Sequence, residues 1–280
     1  MIKIHPDEQK VLTRYVQALT GIYLDASKAY LLESRLGDLL TRHKLSSYSE
    51  LYYKAKGEGA KTLEREIVSA ITTGETSFFR DASLFELLRN KILPDLIDTQ
   101  ARKLGAKGLI PIRIWSAACS TGQEIYSIAI VLQELFGPDL SRYNVRLLGT
   151  DISGEAVSRA SQGVFNVSEI ERGLSQDQLL RYFHKTGESF RVQDELRAMA
   201  SFAVQNLMED LSLLGRFDII FCRNVAIYFQ EADKIRLFQK IASVLMPQGT
   251  LVIGSTESLA GSCPQWKPKR YLRSVFYQLS

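Results

Sequence analysis

Two apolar runs in the middle of the chain end in polar residues whose types and spacing could bind a ligand. The stretch "IRIWSAACSTGQEIYSIAI", residues 112–130, passes from a strand-like run through a turn into a helical pattern. The next run, "VRLLGTDIS", brings Asp151 to a strand end. In open α/β sheets an acidic residue there can accept hydrogen bonds from both hydroxyls of a ribose. The spacing therefore predicts a site for an adenosine ribose.

The turn after the first strand argues against a dinucleotide. Gly122 is its single glycine, whereas a pyrophosphate needs several glycines for close backbone approach. A nicotinamide-dependent oxidoreductase would share the sheet and Asp151 but would need those glycines. Glu124, at the helix start, would repel a phosphate and attract a cation. S-adenosylmethionine, with a sulfonium and an ammonium, fits better. The alternative is that small residues only let strand and helix pack closely.

A second stretch, "GRFDIIFCRNVAIYF", residues 215–229, places further polar groups at a strand end. Arg223 and Asn224 follow the buried run and are expected to face the same crevice as Asp151. Tyr228 could present its ring or hydroxyl to a methyl centre, because an aromatic face stabilises a nearby cation. The alternative is that the ring packs against the start of the next helix.

A third stretch, "TTGETSFFRD", residues 72–81, offers a hydroxyl and a guanidinium. Thr76 supplies the hydroxyl, and Arg80 has a planar donor fork suited to a carboxylate. Read alone, the same letters also fit a capped helix start with two buried phenylalanines.

The chain shows no pattern for proton transfer or metal binding near these stretches. Its three histidines, His5, His43 and His184, lie outside them, and no catalytic triad or metal cluster is apparent in the sequence. A carboxylate acceptor is already ionised at neutral pH and needs no general base. The absence of a base therefore favours a carboxylate as the group that receives a methyl.

The elements that must position these residues follow from hydrophobic periodicity. Residues 1–72 are predicted to form a helical domain, and residues 73–110 a linker and helix that contribute to the site. An α/β domain over 111–280 has strand candidates at 112–116, 145–150, 217–222 and 250–255, which are apolar as in a parallel sheet covered on both faces. Runs at 181–185, 190–193 and 201–205 predict a small antiparallel insertion at about 180–205, and the end "SVFYQLS" an antiparallel edge strand.

Composition excludes several classes of protein. The net charge of +4 is far below the charge density of a nucleic-acid-binding protein. No apolar run reaches the length of a membrane span, and the charged N-terminus is unlike a signal peptide, so we expect a cytoplasmic protein without membrane insertion. The three cysteines have no Cys-x-x-Cys spacing, which indicates reduced packing residues.

A basic stripe recurs every seven residues along the helix predicted from Ser27 to His43. Its members, Lys28, Arg35 and Arg42, would lie near one face and could dock an acidic helical partner. The alternative is an ordinary solvated surface that also carries acidic residues.

Together, "TTGETSFFRD", "IWSAACSTGQEIYSIAI", "GTDIS" and "FDIIFCRNVAIYF" resemble, in order and spacing, the chemotaxis receptor methyltransferase family, CheR. The resemblance implies a class I S-adenosylmethionine-dependent methyltransferase (Rossmann-like) domain with a helical N-terminal domain and a small antiparallel β insertion. It implies methyl transfer from S-adenosylmethionine to glutamate side chains on the cytoplasmic helical bundle of chemoreceptors, which yields glutamyl methyl esters and S-adenosylhomocysteine. A non-catalytic S-adenosylmethionine-binding signalling adaptor is the alternative.

The resemblance also assigns residues. Gly74 stands where the family has asparagine, and Gln123 where many members have glutamate. The insertion loop "HKTGESF" is short, which argues against binding of a receptor's C-terminal tether peptide, and we expect a monomer. Arg80 and Tyr228 are the implied catalytic residues, beside the acceptor and the transferred methyl. The implied cofactor-binding residues are Thr76, Arg80, Glu124, Asp151, Asn206, Leu207, Arg223 and Asn224.

Overall fold

The computed structural model describes residues 2–104 and 108–280, so residues 105–107 of the predicted linker lie outside the described part. The first part of the chain is helical, as expected, and buries its own core. Leu12 and Val16 pack against Leu32 and Leu36, which follow a helical spacing and are fully buried. The helices are α1 Pro6–Thr20, α2 Ala29–Arg42, α3 Tyr48–Ala55 and α4 Lys61–Ile71.

The helix predicted to begin at Ser27 begins two residues later. The Asp25 side chain accepts a hydrogen bond from the Ser27 backbone N–H and opens a short 3₁₀ turn, Ala26–Lys28, and α2 begins only at Ala29. Aspartate and serine are about equally good N-caps, so the sequence alone did not distinguish Asp25 from Ser27 as the start of the helical segment. After α4 the chain forms α5 Ala82–Leu87, a π-helical turn Leu88–Ile92 and α6 Leu93–Leu104.

The α/β part is built on one mixed sheet in the order β6-β2-β1-β7-β8-β10-β9. β1 lies parallel to β2 and β7, and β7 lies parallel to β8. Three of the four strand candidates are confirmed with longer or equal bounds, while β8 begins earlier than residue 250 and ends at Val252. The strands are β1 Ile110–Ala117, β2 Tyr143–Asp151, β6 Ala200–Val204, β7 Phe217–Cys222, β8 Leu245–Val252, β9 Trp266–Tyr271 and β10 Ser274–Leu279.

Helices cover both faces of this sheet, which explains the continuous apolar runs. Along β1, Ile114 belongs to one buried cluster and Trp115 to the other. The first cluster contains α7 Gln123–Phe136, and the second contains α12 Glu231–Val244. The chain end is antiparallel as predicted, but β10 is not the edge: it lies between β8 and β9.

The small antiparallel sheet is present, but one of its predicted strands was wrong. Residues 201–205 overlap β6, which pairs parallel with β2 in the main sheet. The third strand of the small sheet is instead a three-residue strand before the predicted insertion, too short for an alternation pattern to reveal. The small sheet runs β3-β5-β4, with β3 Val164–Asn166, β4 Phe183–Thr186 and β5 Ser189–Val192.

Short helices surround the small sheet. They are α8 Gly154–Gln162, α9 Val167–Glu171, α10 Gln176–Tyr182 and α11 Asp194–Ala198. Within the described residues, no helix has both the length and the apolar character that crossing a membrane would require.

Candidate active site

A cleft of about 440 Å³ opens at the carboxyl ends of β1, β2 and β7. This is a usual size for a small-molecule site. The N-terminal helical part contributes Thr20 and Ile22 to its wall, so the cleft lies between the two parts of the chain. The structure brings all the predicted cofactor and catalytic residues together here, namely Thr76, Arg80, Glu124, Asp151, Asn206, Leu207, Arg223, Asn224 and Tyr228.

Asp151 is buried at the end of β2, with 9% of its surface exposed. Its Oδ2 accepts a hydrogen bond from the Ser120 backbone N–H, and its Oδ1 accepts one from the Ser153 backbone N–H, both at 2.9 Å. Burial raises the pKa of Asp151, and these backbone donors partly counter that effect. A carboxylate has about four acceptor positions, so two remain for a ligand's hydroxyls.

The turn between β1 and α7 has a strained backbone. Ala118 and Ser120 have positive φ angles of 60° and 51°, and Gly122 has 97°. That φ angle of Gly122 is rarely adopted by other residues, and an added Cβ would lie 3.0 Å from the Cβ of Ala160, so the position favours glycine. Left-handed residues other than glycine cost of order 1–3 kcal/mol and concentrate at functional sites. The turn thus holds a tight shape with a single glycine.

Glu124 is not alone in the cleft, because Arg223 pairs with it. Arg223 Nη1 donates to Glu124 Oε2 at 2.7 Å, and the Ser116 hydroxyl donates to Glu124 Oε1 at 2.7 Å. Arg223 Nη2 also reaches Asp81 Oδ2 at 2.9 Å. Two carboxylates share one guanidinium, so this group keeps a net negative charge. A bound sulfonium or ammonium would neutralise that charge.

Arg223 lies 93% buried, as only 7% of its surface is exposed. Its Nε is buried and has no hydrogen-bond partner among the described residues. Burial alone would raise the pKa of Asp81, but the hydrogen bond and charge of Arg223 lower it overall. Asp81 was missed in the sequence, although it directly follows Arg80 in the third stretch.

Asn206 uses its side chain to join the two parts of the chain. Its Nδ2 donates to the Leu19 carbonyl at 2.7 Å, and its Oδ1 accepts from the Met208 backbone N–H at 2.9 Å. The neighbouring Leu207 is buried with 6% exposed. Both residues line the cleft, so this part of its wall is formed by a side chain that is already anchored and by an apolar one.

The loop that carries Thr76 and Arg80 is attached through its backbone. The Ser120 hydroxyl donates to the Gly74 carbonyl at 2.9 Å, and Arg80 Nη1 donates to the Glu75 carbonyl at 2.9 Å. A Cβ on Gly74 would meet only Ser120 Oγ, at an ordinary 3.4 Å. The loop is thus attached at Gly74 through a backbone carbonyl, which requires no side chain at this position.

Gly173 presses directly on the same loop. It has a φ of +104°, and an added Cβ would lie 1.9 Å from the Phe78 carbonyl oxygen. Phe78 in turn packs edge-on against Phe165 and Phe183 of the small sheet. The small sheet therefore supports the loop of Thr76 and Arg80. Gly173 is an isolated glycine after α9, and nothing in the sequence around it indicated this contact.

Glu257 is a second residue that the sequence did not reveal. Its Oε2 accepts hydrogen bonds from the backbone N–H groups of Asn224 at 2.7 Å and Gly254 at 2.8 Å. Asn224 has a positive φ of 56°, and a Cβ on Gly254 would lie 2.7 Å from Glu257 Oε2. The carboxylate thus clamps the loops after β7 and β8 and holds Asn224 in its unusual conformation.

Tyr228 stands at the mouth of the cleft and is 37% exposed. Its carbonyl accepts a hydrogen bond from the Tyr23 backbone N–H at 2.8 Å, and Ile22 forms a β-bridge with Phe229. The N-terminal part therefore fixes the segment that carries this ring. Tyr228 lines the cleft and keeps more than a third of its surface exposed.

The basic stripe on α2 is not a free row of charges. Arg35 Nη1 donates to the carbonyls of Ile71 and Thr72, each at 2.9 Å, at the end of α4. Arg35 therefore has a structural role, and the expectation that all three residues face a partner needs correction. Lys28 pairs with Asp25 at 3.5 Å and Arg42 with Glu66 at 3.3 Å, both with partly exposed side chains.

The cysteines are buried and unpaired. Cys119 lies in the cleft wall, where burial raises the pKa of its thiol well above the ordinary value. The thiol therefore stays protonated at neutral pH, which argues against a cysteine nucleophile.

The fold and cleft define a methyltransferase with an S-adenosylmethionine-binding domain. Residues 74–275 match the family described as CheR methyltransferase, SAM binding domain, and residues 7–72 match its all-alpha domain. The chain belongs to the CheR methyltransferase family. It is 37% identical to chemotaxis protein methyltransferase 1 of Vibrio cholerae, over 99% of this chain and 98% of that protein.

Other relatives are similarly close over most of their length. The chemotaxis protein methyltransferase of Vibrio parahaemolyticus is 37% identical over 99% of this chain and 98% of its own. Chemotaxis protein methyltransferase Cher2 of Pseudomonas putida is 34% identical over 94% of each chain. These matches confirm the family resemblance, the two-part fold and S-adenosylmethionine as the cofactor.

Proposed function

We propose that this chain transfers the methyl group of S-adenosylmethionine to glutamate side chains of chemoreceptors in the cytoplasm. The products would be a glutamyl methyl ester and S-adenosylhomocysteine. The observation that carries the proposal is the cleft in which Asp151, Glu124 and Arg223 meet at the strand ends. Relatives of the same length are named as chemotaxis protein methyltransferases, which supports the substrate class.

The residues of the cleft fit the cofactor. Asp151 retains two acceptor positions for the ribose hydroxyls. The excess negative charge of the Glu124, Asp81 and Arg223 group suits a cationic ligand. When bound, S-adenosylmethionine supplies an electrophilic methyl group.

The chemistry requires little proton transfer. The described lining of the cleft contains no histidine, and a glutamate acceptor is ionised at neutral pH. The protein must strip water from that carboxylate and align one oxygen with the sulfonium–methyl bond. We assign the orientation of the carboxylate to Arg80, which would exchange its hydrogen bond to the Glu75 carbonyl for one to the acceptor. Tyr228 would line the path of the methyl.

We further propose that the acceptor lies on the helical bundle of the receptor and that the chain works as a monomer without a tether peptide. β4 and β5 are joined by Gly187 and Glu188 alone, which leaves a short loop for peptide recognition. Lys28 and Arg42 remain candidates for contact with acidic residues of the receptor.

The decisive experiment is transfer of a labelled methyl group to a recombinant cytoplasmic receptor fragment. A glutamyl methyl ester releases methanol in base, so base-labile label is the expected result. A fragment whose acceptor glutamates are changed to aspartate keeps the charge but moves the carboxylate, and should remain nearly unlabelled. Cofactor binding without any label in the unsubstituted fragment would overturn the proposal and favour a signalling adaptor.

A further inference from the structure

A second, smaller groove adjoins the cleft and takes no part in the predicted cofactor site. It measures about 160 Å³ and lies between the N-terminal helices and the segment before α12. Ile22, Leu31 and Ile71 form one wall, and Ile227 and Phe229 form the other. Its lining is therefore mainly aliphatic and aromatic.

The groove is continuous with the cleft. Ile22, Ile227, Tyr228 and Phe229 line both. The backbone hydrogen bond between Tyr23 and Tyr228 and the β-bridge between Ile22 and Phe229 fix the position of the groove relative to the cleft. A molecule that passes Tyr228 to enter the cleft therefore lies next to the groove.

The rim of the groove exposes large apolar side chains together. Tyr23 is 40% exposed, Ile227 56% and Tyr228 37%. Single exposed apolar residues are common, but a cluster beside a ligand site indicates an interaction surface. Lys28 also lines the groove, and its side chain is 42% exposed. Arg35 is a second basic lining residue, but its guanidinium is already bonded to backbone carbonyls at the end of α4. The surface is thus mainly apolar, with Lys28 as its exposed cation.

The size of the groove limits what can fill it. A cavity of about 150 Å³ lined by apolar side chains holds one benzene-sized group. A groove of about 160 Å³ therefore accepts one apolar side chain and excludes a whole helix. On a helix, residues three or four positions apart lie about 5–6 Å from each other on one face.

We propose that this groove binds one apolar side chain located three or four residues from the acceptor glutamate on the partner helix. This inference rests on the proposed function. The glutamate enters the cleft beside Tyr228 while its neighbour on the same helical face fills the groove. Acidic residues farther along the helix meet Lys28. The groove thereby favours those receptor glutamates that have an apolar residue three or four positions away on the same helical face.

The test uses a recombinant cytoplasmic chemoreceptor fragment that retains one acceptor glutamate. Tyr23→Ser opens the groove without touching the cleft lining, and Tyr53→Ser, at a site 72% exposed on α3, is the matched control. We expect Tyr23→Ser to raise both the KM and the Kd for the fragment by about tenfold, the size expected for one buried side chain. The KM for S-adenosylmethionine should stay within about twofold. The Kd is measured with S-adenosylhomocysteine present.

Changing the apolar residues three and four positions from the acceptor to serine should have a similar effect. It should add little to Tyr23→Ser, because both changes remove the same contact. Equal KM and Kd values for Tyr23→Ser and Tyr53→Ser, with methylation intact, would overturn the groove's role and leave the proposed function standing. No methyl transfer by the unsubstituted chain would overturn both.

Discussion

Asp151 offers the sharpest quantitative test of the site. Its two oxygens each accept one backbone hydrogen bond at 2.9 Å, which leaves two acceptor positions for the ribose. Hydrogen bonds to a charged group contribute about 1.5–3 kcal/mol each, so two are worth at least about 3 kcal/mol. Asp151→Ala should therefore weaken cofactor binding by at least about 100-fold.

The assay is calorimetric titration with both S-adenosylmethionine and S-adenosylhomocysteine. Because the two molecules share one ribose, Asp151→Ala should weaken both by the same factor. The variant also leaves the N–H groups of Ser120 and Ser153 without their acceptor, so its melting temperature should fall by several degrees. Asp139→Ala, at a 70% exposed side chain, is the control and should change neither quantity.

A second variant separates folding from binding. Asp151→Asn keeps the size of the side chain, but its amide has one oxygen where the carboxylate has two. The variant must therefore turn an NH₂ group towards one of the two backbone donors, and we expect intermediate stability with binding still impaired. A folded Asp151→Asn or Asp151→Ala chain whose Kd for S-adenosylhomocysteine lies within about threefold of the native value would refute the ribose assignment.

Further predictions concern the loops around the cleft. Gly74→Asn should keep the Kd for S-adenosylmethionine within about threefold or lower it, since the added Cβ would contact only Ser120 Oγ, at 3.4 Å; a large loss would show that the cleft does not accommodate the amide. Gly173→Ala should lower the free energy of unfolding by at least about 2 kcal/mol in urea titration, whereas Gly187→Ala, also left-handed but without neighbours, should cost less. Glu257→Ala should raise the KM for S-adenosylmethionine about tenfold, because the loop after β7 loses its hydrogen bonds to the carboxylate. Glu257→Gln should restore most of the native KM, because its amide oxygen can accept from the same N–H groups. Equal KM values for the two variants would indicate that the charge matters instead. Burial alone would raise the pKa of the Asp81 carboxyl, but the neighbouring guanidinium of Arg223 lowers it overall. The stabilisation by this ion pair is therefore present above the ordinary carboxyl range and is lost as pH falls. The stability difference between the native chain and Asp81→Asn should therefore shrink in acid unfolding below about pH 4, and a difference independent of pH would exclude this ion pair as its cause.

Local patterns in the sequence were sufficient for most of the main sheet. The strand Phe217–Cys222 was predicted with its observed bounds, because a fully buried strand is a continuous apolar run with clear ends. Asp151 and Arg223 were placed at the cleft by one rule, that the carboxyl ends of parallel strands share an edge. The order of the motifs along the chain was enough to identify the family.

Pairings between distant residues were decided only by the tertiary structure. Residues 201–205 look like a hairpin strand, yet they overlap β6, which pairs with β2, because periodicity shows a strand and not its partner. Arg35 was predicted to lie on a basic surface, but the end of α4 lies beside it and its carbonyls accept the hydrogen bonds that Arg35 donates. Glu257 reaches the loop after β7 from 33 residues away.

The sequence by itself determined which residues reach the edge of the sheet, since that depends on where each apolar run ends. It did not determine which charges meet there. The sequence predicted that Glu124 would interact with a cationic group of the cofactor. In the folded chain Glu124 also pairs with Arg223, which is 99 residues away in the sequence. The net charge of the cleft is a sum over side chains from separate strands and loops, and only their packing in three dimensions sets that sum.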